Sequence, residues 1–216
     1  MDYRKYIVLG VLFVLPITVY LFFASGVNNF AKLPVLNQAV SDLEGFRTMD
    51  STEVIFKDHI TVLGFYGANV AGQKAGAFNL AHKIYKKNYQ FDDFQFVMLT
   101  QEGQQEEVAE VINLLKQIAD PVHFKFAFGS ADRINSVYES LGTLGALDSS
   151  NATSYVYIID KEGQLRGRTS DGEMTLVYGY DANDYAVVNN EMNDDIKIVL
   201  AEYRLALKKY KSARAR

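Results

Sequence analysis

The sequence predicts an α/β domain behind one membrane-crossing helix, on three observations. The first is an N-terminal run, "MDYRKYIVLGVLFVLPITVYLFFASGVNNFAKLP", with no charged residue between Lys5 and Lys32. The second is an alternation, from residue 60 onward, of short apolar runs with helical stripes, which implies a mainly parallel sheet covered on both faces. The third is a pair of short strands about "DKEG" (160–163), which adds an antiparallel edge.

The strongly apolar part of the N-terminus runs from Tyr6 to Phe23, close to the roughly 20 residues a helix needs to cross a bilayer. Arg4 and Lys5 precede it, so the positive-inside rule keeps the N-terminus cytoplasmic and sends the rest outward. Pro16 is tolerated in a membrane helix, and Tyr20, Phe22 and Phe23 suit the outer interface. A cleaved signal peptide, with Ala24 and Gly26 as the small residues before the cut, is the competing reading; the length of the apolar run favours an uncut anchor. The expected organisation is a transmembrane anchor over 1–26, a tether over 27–45 and one domain over 46–216. "VNNF" is polar, and Pro34 in "KLPVLN" favours an extended path.

The domain follows element by element. "ITVLGFYG" (60–67) reads as a buried strand, and Ala77, Leu80, Ala81 and Ile84 form the stripe of the next helix. "FQFVMLT" (94–100) is a second strand. Val108, Val111, Ile112 and Leu115 mark an amphipathic helix whose acidic start suits the helix dipole. "HFKFAFG" (123–129) alternates, with Phe124, Phe126 and Phe128 on one face. Ser130 caps a helix with the stripe Ile134, Val137, Tyr138 and Leu141. "SYVYIID" (154–160) is a strand, and "QLRGRTS" returns as its hairpin partner. A last helix begins near Asn193, with Asp194 and Asp195 in its first turn, the stripe Ile196, Val199, Leu200, Tyr203 and Leu207, and a basic end. The order β-α-β-α-β-α-β-β-α is a thioredoxin-like fold, with the βα unit at 123–141 as an insertion.

Composition narrows the chemistry. The 216 residues are 49% hydrophobic and 13% aromatic with three prolines, as in a folded domain. A net charge of −4 gives no basic field for nucleic acid. The absence of cysteine removes disulfides, thiol catalysis, iron–sulfur clusters and thiolate metal sites. His59, His82 and His123 lie on different elements without metal-ligand spacing. Met49, Met98, Met174 and Met192 are scattered. "YDANDY" (180–185) offers Asp181, Asn183 and Asp184, but lacks the glycine and closing glutamate of a calcium loop and reads as a polar loop. "GTLGALDSS" has no phosphate-loop lysine, and no serine–histidine–acid arrangement is arguable from spacing. "NAT" (151–153) matches a glycosylation sequon. The 14 tyrosines read mostly as packing residues, with a subset suited to a contact surface. The basic end "KKYKSARAR" reads as a solvated helix terminus.

Four segments in order then resemble the Sco/SenC family, membrane-tethered thioredoxin-fold proteins that serve assembly of cytochrome c oxidase. "LPVLN" is similar to the family's opening segment, and "ITVLGFYGANVAGQKA" to its strand and redox turn, F-x-Y-T-x-C-P-x-x-C-P. "YVYIIDKEGQL" is similar to its late strand and hairpin, and "NNEMNDDIKIVLAEYRLALKK" has the look of Bacteroidetes members. With Phe65 on the family's phenylalanine, Ala68 falls on its threonine, Val70 on the first cysteine, Ala71 on the proline and Lys74 on the second cysteine. Counting back from Asp160 puts the family's histidine on Ala152.

The resemblance thus implies the fold and the tether, and none of the copper or thiol chemistry. It implies no cofactor, no metal, no catalytic residue and no enzyme. The expectation is a non-catalytic, protein-binding factor of respiratory oxidase assembly, single-pass in the cytoplasmic (inner) membrane with its domain on the periplasmic side. The alternative is a structural subunit of a larger envelope or respiratory membrane complex. In "GANVAGQKA", Gly67 and Gly72 keep the backbone role of the turn. The helix N-terminus and Lys74 offer a weak anion site, against the plainer reading of a solvated loop.

Overall fold

A computed structural model describes residues 3–24, 32–38, 40–169 and 178–214. They fall into two compact units, Met1–Ala31 and Lys32–Arg216. The first is built on α1 (Tyr3–Ala24), a 22-residue helix that contains Pro16. Its segment Tyr3–Phe22 has a mean hydropathy of 2.1 and none of it is buried within the protein. Among the described residues it alone is long and apolar enough to cross a membrane. The length and apolar composition of Tyr3–Phe22 suit a bilayer as solvent.

The second unit is one mixed sheet between two helical layers. Its elements are β1 (Val35–Asn37), β2 (Ile60–Gly67), a helical run α2 over 71–88, β3 (Phe94–Gln101), α3 (Gln105–Leu115), β4 (Phe124–Gly129), α4 (Ala131–Ser140), β5 (Tyr155–Ile159), β6 (Leu165–Arg166), β7 (Tyr180–Asp181) and α5 (Asn193–Arg214). The α2 run starts with a 3-10 turn and widens to π geometry at Ala81–Tyr85; a second π segment, Val187–Met192, leads into α5. Strand order is β1-β6-β5-β2-β3-β4, with β7 also pairing β5. β2 runs parallel to β3, and β3 to β4, while β5 is antiparallel to β2 and to β6.

This is a thioredoxin-like fold, with the first parallel strand at the centre, the second beside it, and a closing antiparallel hairpin on its other side. Every residue of β2 is buried, because it has a strand on each edge and a layer on each face. The faces also locate the insertion. Side chains of α2, α3 and α5 share one core with Val62, Phe96 and Phe126. Those of α4 share the other with Leu63, Val97 and Tyr157, together with Leu43, Phe46, Val54 and Phe56. Right-handed crossovers that step in one direction put their helices on one face, and the return step uses the other. The steps β2–β3 and β3–β4 go outward and α4 leads back, so the surplus pair is α3 with β4, which corrects the expected insertion at 123–141 (β4 with α4).

Two features extend what the periodicity predicts. Part of the expected tether is built into the domain: β1 pairs with β6, and Leu33 and Leu43 are buried. The antiparallel edge is therefore finished by β1. The return strand of the hairpin is only Leu165–Arg166. The end of "QLRGRTS" at Ser170 lies outside the described residues, as do Gly26 and Met174.

Candidate functional site

At the C-terminal end of β2 two loops meet, the turn 67–73 into α2 and the stretch 148–153 before β5. Their union is made by backbone. The Ala68 N–H donates to the Ser150 carbonyl at 2.8 Å, and the Thr153 N–H to the Phe65 carbonyl at 2.9 Å. Gly67 has φ +49°, and a Cβ there would lie 2.0 Å from the Ser150 oxygen. Only glycine takes that conformation at that approach without strain.

Asp148 shapes the second loop. Its N–H donates to the Ala152 carbonyl at 2.9 Å, and its Oδ1 accepts from the N–H groups of Ser150 (2.8 Å) and Ala152 (3.0 Å). Asn151, at φ +55°, accepts from Asn135 Nδ2 of α4 at 2.8 Å. The side chain of the sequon asparagine is thus engaged inside the fold. Asp148 and Asn135 are the two residues that the sequence reading passed over. The available signal was D-S-S-N, in which a short acid can fold the backbone back on itself.

The side chains at the junction are chemically quiet. Val70 is fully buried and Ala152 is 1% exposed, so both face protein. Gln73 is buried as well, which departs from a simply solvated loop; Ala68, Ala71 and Gly72 are the exposed part. Lys74 is half-buried and holds Glu110 of α3 at 2.7 Å, and the lysine draws that carboxyl below its usual range. The N-terminus of α2 is capped internally, since Asn69 Oδ1 accepts from the Gly72 N–H at 3.1 Å. With the lysine paired and one N–H used, little positive field remains for an anion.

The other candidates are dispersed. His59 contacts the Lys57 carbonyl at 2.9 Å, His82 lies against the Phe78 ring, and His123 is 3.9 Å from Asp92. No group of three or more potential metal ligands occurs among the described residues. Asp181 accepts from the Asn183 N–H, and Asp184 from the N–H groups of Ala186 and Val187. These acids organise a turn and a helix start. Among the tyrosines, Tyr66, Tyr85 and Tyr157 are buried, whereas Tyr185 is exposed beneath the Lys83 ammonium. The Tyr66 hydroxyl has no hydrogen-bond partner among the described residues, and burial pushes its pKa up.

No family model and no curated protein matches the chain. Solved structures do. A candidate electron transport protein of Aquifex aeolicus VF5 matches with TM-score 0.51 and 11% identity, over 78% of this chain and 98% of its own. The soluble domain of Sco1 from Bacillus subtilis matches with TM-score 0.46 and 15% identity, over 81% and 97%. A candidate protein disulfide isomerase from Bacteroides thetaiotaomicron matches with TM-score 0.47 and 15% identity, over 77% and 95%. The structures similar to this chain therefore include Sco proteins and thioredoxin-like oxidoreductases. At these identities the likeness bears on fold alone.

Proposed function

We propose that this protein is a membrane-anchored thioredoxin-fold protein that works by binding other proteins, without thiol or copper chemistry of its own. In this reading Val70, Lys74 and Ala152 stand at the positions that hold two cysteines and a histidine in the Sco/SenC family. The observation that carries it is the junction itself. Its two loops are tied by Gly67 and Asp148, while Val70 and Ala152, buried at two of the three positions, are aliphatic. An aliphatic side chain cannot ligate, and a lysine ammonium repels a cation. A thiol reductase needs a thiolate to attack the disulfide, and the sequence has no cysteine.

What remains for such a junction is recognition by shape. The exposed Ala68, Ala71 and Gly72 beside the Asp148 loop form a small surface. The sequence resemblance supports respiratory oxidase assembly as the pathway, in the cytoplasmic membrane with the domain outside the cytoplasm. Purification of the full chain in mild detergent tests this. Oxidase subunits and haem are expected to co-elute in stoichiometric amount, and an eluate holding only an unrelated complex would count against the pathway. Competition with a Cu(I) chelator tests the chemistry: residues 32–216 are expected to retain no stoichiometric copper, and one-to-one retention overturns the non-catalytic reading.

A further inference from the structure

Positive charge gathers at one end of α5 without acids of its own to balance it. The carboxylates of that helix are all engaged. Asp194 pairs with Lys197 at 2.7 Å, Asp195 with Arg168 at 2.7 Å, and Glu202 with Arg166 at 2.7 Å and Lys32 at 3.5 Å. After Glu202 the sequence holds no acid, while Arg204, Lys208, Lys209, Lys211 and Arg214 follow within the helix. The apolar stripe that ends at Leu207 continues, at the same spacing, into Tyr210, Lys211 and Arg214. Cations thus take positions that would otherwise carry the core contact onward. The neighbouring surface has the same sign. Arg204 is exposed and lies over the Phe91 ring at 4.1 Å. Lys86 and Lys87, at the end of α2, are exposed, and Lys87 meets the neutral Asn193 side chain at 3.5 Å. The acids beside Phe91 lie toward other cations: Asp93 pairs with Lys161, and Asp92 is 3.9 Å from His123.

We propose that the basic end of α5, with Arg204, Lys86 and Lys87 beside it, binds the anionic headgroups of a phospholipid surface. The inference rests on the membrane-anchored reading above for the presence of a bilayer, and it concerns lipid, not a protein partner. The whole chain has a net charge of −4, so with its cations gathered here the remainder is strongly acidic. An anionic surface therefore attracts this end and repels the rest, which selects the face the domain turns to it. Each cation near such a surface adds to the attraction, and the attraction falls away within a Debye length. Tyr210, among the lysines, suits the headgroup level. An acidic protein offers charge of the same sign. Lipid is favoured because Lys32, the first residue of the domain, meets this same helix at Glu202, and the sequence before it holds the bilayer-suited Tyr3–Phe22.

The test uses the full chain reconstituted in vesicles of phosphatidylcholine alone, or with about one-third phosphatidylglycerol. Because the chain has no cysteine, Ser212→Cys takes a polarity-sensitive dye at a single site, and Glu106→Cys on exposed α3 does so in a control. At Ser212→Cys the emission is expected to shift to the blue when phosphatidylglycerol is present. The shift is expected to be lost at about 1 M salt, where the Debye length falls to about 3 Å. Lys208→Gln, Lys209→Gln, Lys211→Gln and Arg214→Gln combined are expected to abolish it, and the three lysines changed to arginine to preserve it. The dye at Glu106→Cys is expected to report no change. Equal emission in the two kinds of vesicle, or an equal shift at Glu106→Cys, overturns the inference. A shift with soluble polyglutamate and none with phosphatidylglycerol overturns lipid as the partner in favour of an acidic protein. The lipid and salt comparisons use one protein, so they stand even if the glutamine variant misfolds. Flotation is scored separately. A chain that floats with phosphatidylcholine but shows no shift overturns this inference alone. One that floats only with phosphatidylglycerol overturns the anchor reading and not this one, and one that floats with neither overturns both.

Discussion

Gly67 shows how much of the junction depends on a single residue. Its backbone lies at φ +49°, and the Ser150 carbonyl occupies the space a Cβ needs. Gly67→Ala therefore combines a disfavoured conformation with a backbone clash, and is expected to cost about 2 kcal/mol or more. Urea unfolding followed by circular dichroism measures it; a loss near zero would show that the two loops do not press together. Val70→Ala removes a fully buried branched side chain and is expected to cost about 1–3 kcal/mol. Lys74→Ala breaks an ion pair largely open to water and is expected to cost much less. The combined change Val70→Cys, Lys74→Cys and Ala152→His probes the proposed equivalence of positions. Folded triple variant is expected to gain Cu(I) affinity that no single variant has. Ala152 is buried, so the imidazole overpacks its site at a cost of about 1–3 kcal/mol, and the fold must be verified alongside. A folded triple variant that binds no better than its singles removes the residue correspondence while leaving the fold intact. The turn itself was legible in the sequence from its glycines and the apolar strand before it. The burial of Val70 was not, because Val70 belongs to the core shared by α2, α3 and α5, whose parts are distant in sequence and meet only on folding.

Among the elements, those with strong periodicity were the legible ones. β2, β3, β4 and β5 fall on the runs at 60–67, 94–100, 123–129 and 154–160, within a residue or two. Ser130 caps α4, its side chain accepting from the Arg133 N–H. The short elements were not legible. β1 has three residues and β7 two, too few to display alternation, and each is defined by the strand it pairs with, β6 for β1 and β5 for β7. The π segments were equally silent, since widening a turn leaves the apolar stripe almost unchanged. α3 makes the same point energetically. Val111 and Leu115 are each 2% exposed on its sheet-facing side, where the stripe had placed them. Truncating either to alanine is expected to cost about 1–4 kcal/mol through lost burial and a cavity. Chemical denaturation midpoints check this. Losses no larger than that of Lys74→Ala would mean that α3 is not a core helix.

At the scale of the molecule, the sequence separates a segment suited to lipid from a domain suited to water, and both units retain that division. Within α1 the segment Tyr3–Phe22 has no buried residue, and two basic residues, Arg4 and Lys5, stand at its start. The basic residues of the C-terminal helix lie far along the chain, and long domains cross a membrane largely regardless of their charge. In the proposed topology the orienting signal is Arg4 and Lys5, which are expected to hold the N-terminus in the cytoplasm. A reporter active only outside the cytoplasm, fused after Arg216, is expected to give signal, and one active only in the cytoplasm to give none. Changing Arg4 and Lys5 to glutamate while adding three lysines after Gly26 reverses the charge bias and is expected to shift signal toward the cytoplasmic reporter. If the parent chain already lights the cytoplasmic reporter, the domain faces the other side of the membrane. Assembly of an oxidase from the outer face then falls as a role.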